Sequence, residues 1–147
     1  MLNLVSTRRL PILPEPGADR FGRRADSLSR PERRRLERDL QSLVRFIEVY
    51  CRHRHAGESK RPVDLKHHDV TALAGRPVHL CPDCTKLITH AFTKRSNCPL
   101  RPKPQCKHCP SHCYHPTYRK KIQEVMRFSG MKIVMSGRLD YLLHLLF

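Results

Sequence analysis

Six of the chain's seven cysteines lie between residues 81 and 113, at Cys81, Cys84, Cys98, Cys106, Cys109 and Cys113. Their spacing is C-x2-C-x13-C-x7-C-x2-C-x3-C. Two thiolates three residues apart can converge on one ion. Two such pairs with further cysteines beside them predict a metal or iron–sulfur site. The odd total works against complete disulfide pairing, and so does the reducing compartment argued below.

Helices are expected on either side of this region. Ser29-Arg30-Pro31-Glu32 has the form of a capping box. Leu36, Leu40, Leu43, Val44, Ile47 and Tyr50 or Cys51 then follow at spacings of three and four, one apolar stripe on a long helix. Arg52, His53, Arg54 and His55 close it with cations, and Gly57 stops it. Cys51 falls on or beside the stripe and reads as a small core residue rather than a ligand. A short helix over 69–74 is closed by Gly75, and His67, His68 and Asp69 form a polar cluster with no frame to aim it at a metal. A second long helix is expected over 83–96, with Leu87, Ile88, Ala91, Phe92 and Cys84 on its apolar face. A third is expected over 117–129, ended by Ser129-Gly130. The apolar run from Met131 to Met135 and the repeat Leu139, Leu142, Leu143, Leu146 would then form a separate tail docked on the first helix. No alternating strand pattern is evident. The fold class is therefore mainly α: one small helical, cysteine-rich domain over 29–147 with a metal-tied loop region. It follows a disordered basic tail over 1–28, where three prolines sit among arginines.

The charge balance speaks to partners. Lys+Arg number 29 against 13 Asp+Glu, a formal net charge of +16. Nucleic acid is the commonest acidic partner for such a chain and an anionic membrane surface is second, and a protein partner is expected as the other route of action. Arg33, Arg34, Arg38 and Arg45 line the first helix, and Arg119, Lys120, Lys121 and Arg127 line the last. These eight are the candidate phosphate contacts. No apolar run approaches a membrane span. The first residues lack the apolar region of a signal peptide, so a cytoplasmic location is expected. No Ser/His/Asp set, Gly-rich phosphate loop or pair of acids in a cleft is apparent. The chain therefore reads as a non-enzyme with no small-molecule substrate. The Cys81-x-x-Cys84 pair at a helix start keeps a thiol-redox enzyme as an alternative, against which the missing βαβ frame counts.

The C-terminal half carries a more specific signature. Cys81-Pro82-Asp83-Cys84, Cys98, then Cys106-Lys107-His108-Cys109-Pro110-Ser111-His112-Cys113-Tyr114 and Arg127-Phe128-Ser129-Gly130 together resemble the bacterial nitrous oxide-stimulated promoter family. The resemblance spans roughly residues 33–147 and implies a link to nitrosative stress, without supplying a reaction. Two departures stand out: the arginine-rich extension over 1–28, and Gly130-Met131-Lys132, where members commonly continue Gly-Pro-Arg-Met.

The cofactor follows from ligand chemistry. A four-iron cluster would use four thiolates, most naturally Cys98, Cys106, Cys109 and Cys113, or a set including Cys81 or Cys84. Zinc would take four ligands, most plainly Cys81, Cys84, Cys106 and Cys109, with His108, His112 and His115 at hand for a second ion. The uneven spacing and the Cys-Pro steps favour the iron–sulfur cluster, and zinc is the alternative. Either way the metal staples a small core poor in aromatics. The expected protein is a non-enzymatic iron–sulfur or zinc binder of the nitrosative-stress response, acting through nucleic acid or a protein partner.

Overall fold

The computed structural model describes residues 27–138. The tail expected over 1–28 lies outside them except for Ser27 and Leu28, as does the leucine repeat after residue 138. Leu28, just before the first helix, is buried.

Helix α1, Arg30–Arg54, is the axis of the molecule. Its 25 residues span about 37 Å at 1.5 Å per residue. The Ser29 backbone N–H donates to the Glu32 carboxylate at 2.9 Å, the reach-back half of a capping box. The apolar stripe then buries Leu40, Leu43, Val44, Ile47, Tyr50 and Cys51 as its period requires.

After α1 the chain makes a short excursion and comes back. Strand β1, Arg61–Pro62, pairs antiparallel with β2, His79–Leu80, in the register Arg61 to Leu80 and Pro62 to His79. The pairing extends through Val63, whose N–H donates to the Val78 carbonyl at 2.9 Å. Two residues per strand are too few for an alternation to register in sequence. Between the strands lies α2, Val70–Ala74. Asp69 caps it by accepting from Ala72 N at 2.9 Å. Gly75 ends it in the left-handed region at φ 70°, where a Cβ would be strained. Arg76 forks onto Glu48 of α1 at 2.7 and 2.5 Å, which ties the excursion to the central helix. This ribbon returns Cys81 to the end of α1.

Helix α3, Pro82–Ser96, starts with proline at its first position and packs Cys84, Leu87, Ile88, Ala91 and Phe92 against α1. A loop with one turn of 3-10 helix, Cys106–His108, leads to helix α4, Pro116–Met135. Here the structure corrects the sequence reading. The helix does not end at Ser129-Gly130 but runs on to Met135 and closes at Gly137, φ 91°. Ser129 is fully buried and its Oγ donates to the Phe46 carbonyl of α1 at 2.6 Å, with Gly130 buried beside it. The small pair lets α4 approach α1 closely. The roughly 1 kcal/mol that glycine costs inside a helix is offset by burying Ile133 beyond it.

The three long helices share one core. Buried Arg95 of α3 joins three parts of the chain: its Nε donates to Asp39 of α1 at 2.9 Å, and its Nη1 donates to the Pro104 carbonyl of the cysteine loop at 2.9 Å. Tyr50 of α1 donates to Glu124 at 2.5 Å and accepts from Lys121 at 2.9 Å.

Candidate metal centre

Cys51 and His55 stand four residues apart, one turn, at the C-terminal end of α1. Cys81 is the N-cap residue of α3 and Cys84 lies in that helix's first turn. The end of one helix thus meets the start of another, and each contributes two donors. The sulfurs of Cys51, Cys81 and Cys84 and one ring nitrogen of His55 all lie within 4.8 Å of one another. His55 Nδ1 is 3.2 Å from Cys81 Sγ and 3.4 Å from Cys84 Sγ. The Cys81 backbone N–H donates to Cys51 Sγ at 3.3 Å. Around one zinc ion, bonds of about 2.3 Å to sulfur and 2.0–2.1 Å to nitrogen set tetrahedral edges of roughly 3.6–3.8 Å. The two nitrogen–sulfur distances fall slightly short of that and the remaining pairs lie within 4.8 Å, so the four donors can gather around a single ion.

The surroundings suit a cation. Cys51 and Cys81 are 0 % exposed and Cys84 is 1 % exposed. Burial pushes the Cys81 and Cys84 thiols up, and for Cys84 the nearby Cys51 sulfur adds to the effect. Three thiolates without a positive charge would not coexist there, and a divalent ion removes that obstacle. The Cys84 backbone N–H at the start of α3 acts the same way, since its hydrogen bond to Cys81 favours the thiolate. Around the rim, Lys60 Nζ donates to the His55 carbonyl at 2.8 Å, and the edge of the His55 ring packs on Tyr50 with centroids 5.4 Å apart.

The six clustered cysteines are thus not one knot. Cys81 and Cys84 belong to the buried quartet. Cys98, Cys106, Cys109 and Cys113 line a separate cavity with Lys94, Arg95, Pro104, His112 and Tyr114. Cys51 is fully buried, as a core residue would be, and its sulfur is also a member of the quartet. His55 reads in the sequence only as one of the cations closing the first helix. The signal that identifies both is Cys-x3-His on the inward face at the end of an amphipathic helix. Three other histidines, His68, His90 and His115, make local contacts. His68 Nε2 faces Ser96 Oγ at 3.2 Å, and the ring packs edge-on against Phe92. His115 caps α4 by accepting from Thr117 N at 3.4 Å, and His90 stacks on Tyr118 at 4.2 Å.

The cationic rows are mostly solvent-facing. Arg34, Arg38 and Arg45 repeat on the side of α1 opposite Leu40, Leu43 and Ile47, and Lys120 and Arg127 lie on the outer side of α4. Arg33 and Arg119 are exposed as well. Lys121 instead turns toward the Tyr50 hydroxyl and Glu124. Among the described residues no helix is long and apolar enough to cross a membrane.

Comparison with known proteins places this architecture. A family model described as nitrous oxide-stimulated promoter matches residues 34–147, which include all seven cysteines. The chain belongs to that family. It is also similar to a protein of Escherichia coli (strain K12) described as uncharacterized protein YgbA, with 29 % identity over 76 residues. That match covers 51 % of this chain and 62 % of the relative's length. No solved structure matches the chain.

Proposed function

We propose that this chain is a zinc-stapled, non-catalytic helical protein of the response to nitrogen oxides, and that it works by lying against nucleic acid. The observation that carries the zinc assignment is the closure of four buried donors, three sulfurs and one imidazole nitrogen, to within 4.8 Å. That spacing suits one ion. A four-iron cage would hold its thiolates farther apart, so the iron–sulfur expectation does not attach to this centre. The mixed sulfur and nitrogen set is also one that structural zinc takes readily. The family description supports the nitrogen-oxide part.

A structural role fits the position. The site clamps the end of α1 to the start of α3, and the segment between them holds only two short strands and one five-residue helix. Binding energy at such a site is folding energy. The thiol-redox alternative loses ground for the same reasons. A reactive thiol is exposed and low in pKa, whereas Cys81 and Cys84 are buried and raised.

The nucleic-acid part rests on the formal charge of +16 and on the outward arginine row of α1. Such contacts with phosphates would be weakly specific for sequence and strongly dependent on salt.

The test is elemental analysis of the full chain purified without chelators. Zinc at about one per chain, lost in Cys51→Ser, is expected. A protein with no zinc, or one whose zinc is indifferent to Cys51, would sink the assignment.

A further inference from the structure

The second cavity holds the cysteines that the zinc site leaves over. Cys98 enters it from the end of α3, Cys106 and Cys109 from the 3-10 turn, and Cys113 from the approach to α4. Three features separate it from the first centre. Its donors are less tightly gathered: among the described residues only the Cys51 quartet has three or more ligand atoms all within 4.8 Å of one another. It is open, with Cys106 and Cys113 exposed and Cys98 and Cys109 half-buried. Two basic residues, Lys94 and Arg95, are among its lining, and Asp39 and the Pro104 carbonyl hold the Arg95 guanidinium in place.

We infer that Cys98, Cys106, Cys109 and Cys113 form a second centre, which binds a four-iron iron–sulfur cluster. Four thiolates are the full ligand set of such a cluster, with no histidine required. A looser gathering of donors is what a cage of iron and sulfide needs and what a lone ion does not. A cluster with four thiolates carries net negative charge, which the Arg95 and Lys94 side chains offset. An independent sign of a missing occupant is His112, whose Nδ1 is buried in this lining without a hydrogen-bond partner. A buried polar atom of that kind needs explaining, and a cluster sulfur would give it an acceptor. The two centres share no ligand, so this inference stands or falls separately from the zinc assignment.

The experiment is anaerobic reconstitution of the full-length, zinc-loaded chain with ferrous iron and sulfide, followed by removal of excess reagent. About four iron and four sulfide per chain, with broad visible absorption, are expected. Cys106→Ser and Cys113→Ser should lose both while keeping zinc, and Cys51→Ser should keep the cluster if it stays folded. Alkylation read by mass spectrometry gives a second measurement that needs no variant. In the loaded protein Cys98, Cys106, Cys109 and Cys113 should be protected, and stripping the iron should expose them. A second zinc per chain with no iron or sulfide retained would overturn the inference, and so would equal labelling of these four cysteines before and after reconstitution.

Discussion

The backbone N–H of Cys81 donates to the sulfur of Cys51 at 3.3 Å, across 30 residues of chain. This contact joins the end of α1 to the start of α3, and everything between them is a loop that leaves α1 and returns to it. The metal centre is therefore also the point where the fold closes.

His55→Ala removes the one nitrogen donor and leaves three sulfurs. Zinc affinity should fall at least about 100-fold, more than the loss of a supporting contact would cause. Competition with a coloured chelator measures this. The thermal transition should drop with it, because metal binding and folding are coupled here. Unchanged affinity would mean that Nδ1 is not a ligand.

Asp39→Ala leaves the Arg95 guanidinium without its carboxylate. Arg95 is 6 % exposed, so the charge cannot escape to water easily. Removing one partner of a fully buried pair costs about 3–5 kcal/mol. Asp39 is 36 % exposed, and the expected loss is smaller, about 2 kcal/mol. Denaturant unfolding of the zinc-loaded protein reads it. A change within error would show that water or another group replaces the carboxylate.

Burial holds the His68 imidazole below its ordinary value of 6.5, with the neighbouring His67 charge adding to the effect. The unfolded chain therefore takes up a proton at higher pH than the folded one. Stability should fall as the pH drops below 6.5 and level off once the folded form protonates too. His68→Gln, which stays neutral and can still face Ser96, should show a shallower fall in thermal melts between about pH 7.5 and 5. An identical slope would remove His68 from the account.

Arg34→Gln with Arg38→Gln takes two charges from the outer row of α1. If both touch phosphates, the slope of log affinity against log salt for duplex DNA should shrink by about 2. The weakening should be similar for unrelated sequences. An unchanged slope would move the contact elsewhere or remove it.

The helices were legible because their signals are local. The capping box at Ser29, the stripe from Leu36 to Tyr50 and the Leu87 to Phe92 face each repeat within a few turns, and the helices formed there. Ser129-Gly130 misled because a Ser-Gly pair marks a helix end by local preference, yet here it serves tertiary packing against Phe46. The cysteines were legible as ligands but not in their grouping. Spacing along the chain reports which sulfurs can share a turn. It does not report which helix end meets which, and that is how Cys51 and His55 come to complete a site 30 residues away. The division of seven cysteines into three and four is a property of the fold.

The central claim is that one zinc ion sits between three sulfurs and one imidazole. Zinc-edge X-ray absorption on the full chain tests it most directly, because it reports the donors around the metal itself. The account predicts three sulfurs at about 2.3 Å and one nitrogen at about 2.0–2.1 Å. Cys51→Ser should lose one sulfur from that shell or lose the zinc altogether. A shell of four sulfurs, or a spectrum unchanged by Cys51→Ser, would contradict it.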